Sequence, residues 1–332
     1  MKRYLAATCA ALALSWAQDA AATPAIISGT GTNGAMGTAS GATGAATTLV
    51  IPTTADTPAG SLVLAAVSYR ANNTLASCTD SQSTPPTYSA GALSLGNSSV
   101  AVRIFYDYTS FDLPAPCTVT ATETSTTLVV TAVVSCSGTD VLTVGQAISG
   151  GSFTGVISAP CTLVAGAATC TITGGATVAT PGTATISSAL TCTYNSATGA
   201  KSAIIAAFSG MASSSQFDSA STTATGSSTG ALSIGPTGTL AQASEVIFGD
   251  LSFVNNGAPT ADAAFTSLGS VNNSTSNMHA AFKIVSATTA VTWAPSLTGS
   301  SGVWAAMLQA FKASGVGPAG CKNGLLMMGA GC

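Results

Sequence analysis

The chain has 332 residues and a formal net charge of −3, with 6% of its residues charged, where soluble domains usually carry roughly a quarter. This length suits one large domain or two to three small ones. The charge balance offers no basic footprint for nucleic acid, and a hydrophobic fraction of 46% at low net charge is not the composition of a disordered chain. Polarity comes from Ser, Thr, Asn and Gly, which fits β-structure whose outer faces carry hydroxyls.

The N-terminus reads as an export signal. Lys2 and Arg3 precede a short apolar stretch from Tyr4 to Leu14, and Ser15-Trp16-Ala17 puts small residues where cleavage needs them. Cleavage is expected after Ala17, with Ala20 to Ala22 as alternatives, giving a leader within 1–22. Cys9 lacks the Leu expected before a lipoprotein cysteine. No later segment has the apolar length of a membrane helix.

Residues 23–46 are nearly all Ala, Gly, Thr and Ser, beginning as an edge strand at Ala25-Ile26-Ile27 and continuing as linker-like sequence. Short strands follow at Thr47 to Pro52 and Ser61 to Tyr69. Arg70 to Gly96 reads mostly as loop, with a strand-like Thr87 to Ser89. Val100 to Tyr108 alternates: Val100, Val102, Ile104, Tyr106 and Tyr108 share one face, and Arg103 and Asp107 share the other, where they can pair loosely. Cys117 to Thr122 begins another strand.

From about Glu123 to Ala189 the chain becomes a run of very short strands punctuated by glycines, Pro160 and Pro181. This stretch reads as a small β-module, 124–189, inserted in a sandwich built from 47–123 and 190–314. The sandwich pattern resumes with Leu190 to Tyr194 and Lys201 to Phe208. Met211 to Gly230 reads as a long polar connection. Ala231 to Ile234, Glu245 to Phe253, Met278 to Ser286 and Ala290 to Trp293 read as strands. Val303 to Lys312 has helical spacing at Trp304, Leu308 and Phe311, but its flanking turn and length favour a terminal strand.

Of nine cysteines, eight remain without Cys9: Cys78, Cys117, Cys136, Cys161, Cys170, Cys192, Cys321 and Cys332. An even number in an exported chain implies disulfides. Cys321–Cys332 is expected around the Asn323-Gly324 turn, closing a tail (315–332) with an apolar Leu325 to Met328 tip. Cys161–Cys170 is expected across a short turn, and Cys78–Cys117 and Cys136–Cys192 follow by elimination. No C-x-x-C pair and a single His argue against zinc.

The order of strands, GSLVLAAVSYR, the Cys78 to Ser89 segment, VAVRIFYDY, TVTAT, AIIAAFSGM and GVWAAMLQAFK, resembles the jelly-roll-like β-sandwich domains of exported bacterial proteins and of phage-encoded structural or receptor-binding proteins. The resemblance covers 47–314 apart from the 124–189 stretch, where LVVTAV and LTVGQAISG look like small β-modules of phage structural proteins. It implies an all-β fold and a role in attachment or assembly, and it supplies no catalytic residue.

Catalytic motifs are thin. Gly226-Ser227-Ser228-Thr229-Gly230 matches G-x-S-x-G but lies in a Ser/Thr-rich connection, with His279 as the only imidazole. Glu245 and Asp250 lie five apart on one strand, hence on opposite faces. Asp107 and Asp112 bracket a strand end and could hold Ca²⁺ with loop carbonyls. No phosphate-binding loop occurs, and no cofactor is expected. The expectation is a non-enzymatic exported sandwich for surface attachment, particle assembly, or glycan or receptor binding, with self-association open. The alternative is a secreted carbohydrate-active enzyme, a glycoside hydrolase or lyase. Tyr88, Phe105, Phe248 and Trp293 are the rings that would stack on a glycan.

Overall fold

The computed structural model describes residues 23–314 apart from 42–46, 71–73, 82–86, 97–98, 110–115, 137–140, 143, 197–198, 255–258, 274–275 and 299–301. The expected leader, Cys9, the Cys321–Cys332 tail, Asp112 and Asp140 lie outside the described residues.

The chain is all-β. Before the run of short strands come β1 (Ala25–Ile27), β2 (Gly37–Gly41), β3 (Thr48–Pro52), β4 (Leu62–Arg70), β5 (Leu75–Asp80), β6 (Ser89–Gly96) and β7 (Val100–Tyr108). Next are β8 (Cys117–Glu123), β9 (Thr127–Ser135), β10 (Val141–Leu142), β11 (Ala147–Ser149), β12 (Gly155–Ile157), β13 (Cys161–Thr162), β14 (Ala168–Thr173) and β15 (Val178–Ser187). The rest comprises β16 (Ala189–Tyr194), β17 (Lys201–Ser209), β18 (Phe217–Gly226), β19 (Gly230–Ala231), β20 (Glu245–Phe253), β21 (Thr266–Val271), β22 (Asn277–Val285), β23 (Ser296–Leu297) and β24 (Trp304–Lys312). The ambiguous Val303 to Lys312 run is thus a strand.

Two antiparallel sheets face each other. One runs β1-β17-β4-β7-β6, with β2 also on β17; the other runs β18-β24-β20-β22-β21. Leu62, Leu64, Val102, Ile104, Ile204 and Phe208 of the first meet Val246, Phe248, Met278, Phe282, Met307 and Phe311 of the second. Each sheet is also covered on its outer face. The small sheet β3-β16-β5 lays Leu49, Ile51, Leu75, Leu190 and Tyr194 on Val63, Val67, Phe105 and Ile205. On the other side, segments around β19 and β23 lay Leu232, Ile234, Leu240, Val291 and Trp293 on Ile247, Leu251, Ala306 and Leu308. Being buried on both faces explains why β4, β17, β20 and β24 are unbroken apolar runs instead of alternating ones. Their many alanines let four layers stack closely.

The two sheets have the same plan. In each, the last strand pairs with the first long strand, which pairs with a hairpin strand and then the edge: β17-β4-β7-β6 against β24-β20-β22-β21. The registers agree as well. Leu62 pairs with Phe208 and Val246 with Phe311; Ser68 faces Val102 and Ser202, as Ser252 faces Met278 and Ala305. The edge strands bulge after equivalent pairs, Ala90↔Phe105 and Ser267↔Ala281. Even the covers match, with β3 on β16 and β19 on β23. The molecule is one unit repeated, residues 25–209 and then 217–312, packed face to face.

Between β7 and β16 the first unit carries a closed six-stranded barrel, β11-β12-β14-β9-β8-β15, filled by Val119, Leu128, Val130, Phe153, Ile172 and Ile186. β8, expected in the sandwich, pairs only with β9 and β15. Three further expectations fail for one reason: small polar residues were read as loop. The linker-like 23–46 stretch contains β2, whose Gly37 is required because a Cβ there would stand 2.2 Å from the Pro52 carbonyl. The Arg70 to Gly96 loop contains β5 and β6, and the 211–230 connection contains β18, seven residues of which pair with β24.

Disulfides join Cys78–Cys192, Cys117–Cys136 and Cys161–Cys170. The pairings expected by elimination are corrected. Cys78 and Cys192 stand directly opposite on β5 and β16, and Cys117 and Cys136 close the base of the β8–β9 hairpin. The missed strand β5 is what hid the first pair.

Candidate functional site

Three polar clusters concentrate the chemistry of the described residues. The first lies where β5 and β7 end under the outer cover. The Tyr88 hydroxyl donates to Asp80 Oδ2 at 3.3 Å, and half-buried Asp107 stands near enough to feel the Asp80 charge. Burial first, and then Asp80, push the Asp107 carboxyl up to about 6. Burial, Asp80 and Asp107 also raise the Tyr88 phenol well above its usual value. Arg103 does not pair with Asp107, contrary to expectation: its Nε donates to the Gly91 carbonyl at 3.1 Å and its guanidinium lies 5.7 Å from the Phe105 ring centre. A carboxyl kept protonated toward neutral pH beside a second carboxylate is the pairing an acid–base catalyst uses.

The second cluster sits across the end of β24. Asp218, at the start of β18, and Glu245, at the start of β20, flank that strand opposite Ala310 and Lys312, and small Ala310 lets the carboxyls approach over it. Both are buried. Asp218 Oδ2 accepts from the Ala241 amide at 2.6 Å and Oδ1 from the Ala220 amide at 3.1 Å; Glu245 Oε1 accepts from the Gln242 amide at 3.0 Å. Burial alone would raise Asp218, but the Ala241 and Ala220 amides outweigh it and hold the group below its usual value. Burial and the adjacent Asp218 push Glu245 up to about 7. Two glycosidase carboxyls need roughly 5–10 Å between them for the sugar and water, and this touching pair leaves no such room.

The third is Ser270 and His279. Ser270, exposed on edge strand β21, lies 3.0 Å from His279 Nδ1. The imidazole is buried, stacked 5.9 Å from Trp293, and its Nε2 has no partner. Burial lowers its proton affinity. Among the described residues no carboxylate orients the ring as a triad requires. The G-x-S-x-G stretch runs from the end of β18 to β19, a strand-to-strand link without the following helix that the motif needs.

Sequence reasoning singled out Asp107, Glu245 and His279 but not their partners Asp80, Asp218 and Ser270, which lie on strands it read as loop or passed over. Tyr88, Phe105, Phe248 and Trp293 are 3%, 1%, 0% and 0% exposed, so none offers a glycan platform. Glu245 and Asp250 do face opposite sides of β20. Asp250 points between the facing sheets, where neither carboxyl oxygen has a hydrogen-bond partner and burial pushes the group well above its usual value. Among the described residues no three His, Cys, Asp or Glu side chains gather to hold a metal, and no helix is long and apolar enough to cross a membrane. A cleft of about 420 Å³ separates Val50 of β3 from Val156 of β12, with no titratable lining. Comparisons with family models, curated proteins and solved structures give no match.

Proposed function

We propose that this is an exported, non-enzymatic β-protein for attachment or assembly, and that the apolar patch where the end of β9 meets the β13–β14 turn is its contact surface. The observation that carries the reading is the patch itself. Val133, Val134 and Val164 are 37%, 63% and 71% exposed, and the Ala165-Gly166 turn rests against Val133. Cys117–Cys136 and Cys161–Cys170 brace the strands that present them. From Thr124 to Ala200 the only charged residue is Asp140, so the partner surface is apolar and uncharged, as in protein assembly, and not a glycan. Three disulfides fit an oxidising, extracellular setting, and the barrel reads as an inserted module held out from the sandwich. The jelly-roll likeness rests on two facing antiparallel sheets; the strand order, with each sheet drawn from its own half of the chain, favours a different connection.

The test is self-association and particle binding of the oxidised protein by light scattering, with Val134→Lys and Val164→Lys together. Association lost in the variant with the fold intact supports the reading, and association unchanged overturns it. A secreted carbohydrate-active enzyme is the second reading, favoured by the Asp80–Tyr88–Asp107 cluster. Reducing-sugar release from a polysaccharide panel that Asp107→Asn abolishes would establish it.

A further inference from the structure

The outer cover of the second sheet is a separate layer. Residues 231–240 and 288–296 zip to each other through Leu232 N to Pro295 O, Ile234 and Trp293 in both directions, Thr237 N to Val291 O and Leu240 N to Thr288 O. This layer meets β20, β22 and β24 through side chains such as Ile234 and Trp293 on Ile247 and Leu308. Carboxylates tie it down at two places. Asp262 accepts from the Ala294 amide at 2.8 Å. At the other, Asp218 and Glu245 take the consecutive amides of Ala241 and Gln242.

This second anchor is conditional on a proton. Glu245 is fully buried, its Oε2 finds no N–H or O–H donor, and its neighbour is another carboxyl whose two oxygens are already taken by amides. Only one charge is tolerable there: a protonated Glu245 can donate to Asp218, whereas two adjacent buried carboxylates repel. The charged groups facing the pair are few. Lys312 of β24 lies opposite Glu245 and favours its ionised form without preventing the net upward shift. On β22, Glu245 faces Val285, and the nearest cation of that strand, Lys283, lies over the Phe265 ring at 5.8 Å. The covering loop contributes the uncharged Gln242, whose side chain donates to the Ser244 and Ala313 carbonyls.

We propose that the Asp218–Glu245 pair is a proton-dependent latch, and that its ionisation frees the 231–244 cover segment from the second sheet while Asp262 keeps the far end hinged. In the open state the device uncovers an apolar face, Ile247, Leu251 and Leu308. The direction follows from linkage. Glu245 binds its proton more tightly closed (about 7) than open, where water restores the ordinary value of about 4.3. Opening therefore becomes about ten-fold easier per pH unit between those values and levels off above 7. Asp218 is shifted the other way and acts only below its ordinary value.

Hydrogen exchange on the whole protein tests this, with protection factors corrected for intrinsic rates. Protection of peptides covering 236–244 should fall about ten-fold per pH unit from about pH 5 to 7, while peptides in β17 and β4 stay constant. Glu245→Gln, which cannot ionise, should flatten the profile. Asp218→Asn removes the neighbouring charge and should move the midpoint to lower pH, which keeps the test open if Glu245→Gln fails to fold. Protection that is independent of pH in the parent protein, or variants that follow the parent profile, overturns the latch.

Discussion

Ser68 and Ser252 occupy the same position in the two repeated units and hydrogen-bond to each other across the interface between the facing sheets. Each sits one residue before the aromatic that ends its buried run, Tyr69 in β4 and Phe253 in β20. Ser276 joins them at 3.0 Å from Ser68 Oγ, and Ser202 Oγ donates to the Ser276 carbonyl at 2.8 Å. The apolar faces on either side would tolerate sliding, because burial is non-directional. The hydroxyl seam is directional and fixes how the units register.

That seam should behave as one coupled network. Ser68→Ala alone leaves buried Ser252 short of a partner and should cost about 1–3 kcal/mol. Ser68→Ala with Ser252→Ala should cost clearly less than the two single changes added, since the second substitution removes the orphan the first created. Urea unfolding of the four proteins in the cycle checks this; strict additivity would show that the hydroxyls do not interact.

Asp250 marks where the repeat has diverged. Its counterpart in the first unit is Ala66, the residue before Val67; the Val67 amide pulls the Asp250 carboxyl down less than burial raises it, and neither carboxyl oxygen makes a hydrogen bond. Burial raises the group, so it is protonated in the fold and ionised in the unfolded chain over the window between the ordinary Asp value and the raised one. The unfolded state then binds fewer protons, and stability falls as pH rises through that window. Asp250→Ala, which restores the twin's residue, should remove that dependence and stabilise the protein by about 1–3 kcal/mol near pH 8. Denaturation midpoints at about pH 5 and 8 decide it, and an equal effect at both would reject the assignment of a buried neutral carboxyl.

The disulfides should not be equivalent. Cys78–Cys192 spans 114 residues, against 19 and 9 for the others. Restricting the longer loop removes more freedom from the unfolded chain, about 5 kcal/mol against about 3 kcal/mol. Replacing Cys78 and Cys192 with Ala should therefore lower the melting temperature more than replacing Cys161 and Cys170. Thermal unfolding of the two double variants measures it; the reverse order would show that native-state packing, not chain freedom, sets the effect.

The all-β class and most long strands were legible because β4, β17, β20 and β24 are apolar enough to announce themselves. Their burial on both faces was harder to read, since a continuous run is ambiguous between a doubly covered strand and a helix, as Val303 to Lys312 showed. β2, β5 and β18 were invisible for the opposite reason. GTASG, LASCTD and FDSASTTATG carry little hydrophobic signal and are held by backbone pairing to neighbours far along the chain. The repeat was hidden because what it preserves is register and strand order, while identity survives at few positions, such as Ser68 and Ser252 or Phe208 and Phe311. The carboxyl pair escaped notice because Asp218 opens one of the unseen strands.

A repeated unit whose copies pack face to face makes a prediction about connectivity. The link between them, residues 212–216, joins β17 to β18. The last described residues return to the same corner: the Ser314 amide donates to the Gly210 carbonyl at 2.8 Å, and a Cβ on Gly210 would stand 2.8 Å from the carbonyl of Thr23. Residues 23 and 314 can therefore be joined by a short Gly/Ser linker and the chain reopened within 212–216 without moving any strand. The permuted protein should fold, keep Cys78–Cys192, and unfold in one cooperative transition, because the interface between the units, not the peptide link, holds them together. Circular dichroism and urea unfolding check this. Two separate transitions, or failure to fold with all three disulfides formed, would mean that the 212–216 link itself sets the pairing of the two sheets.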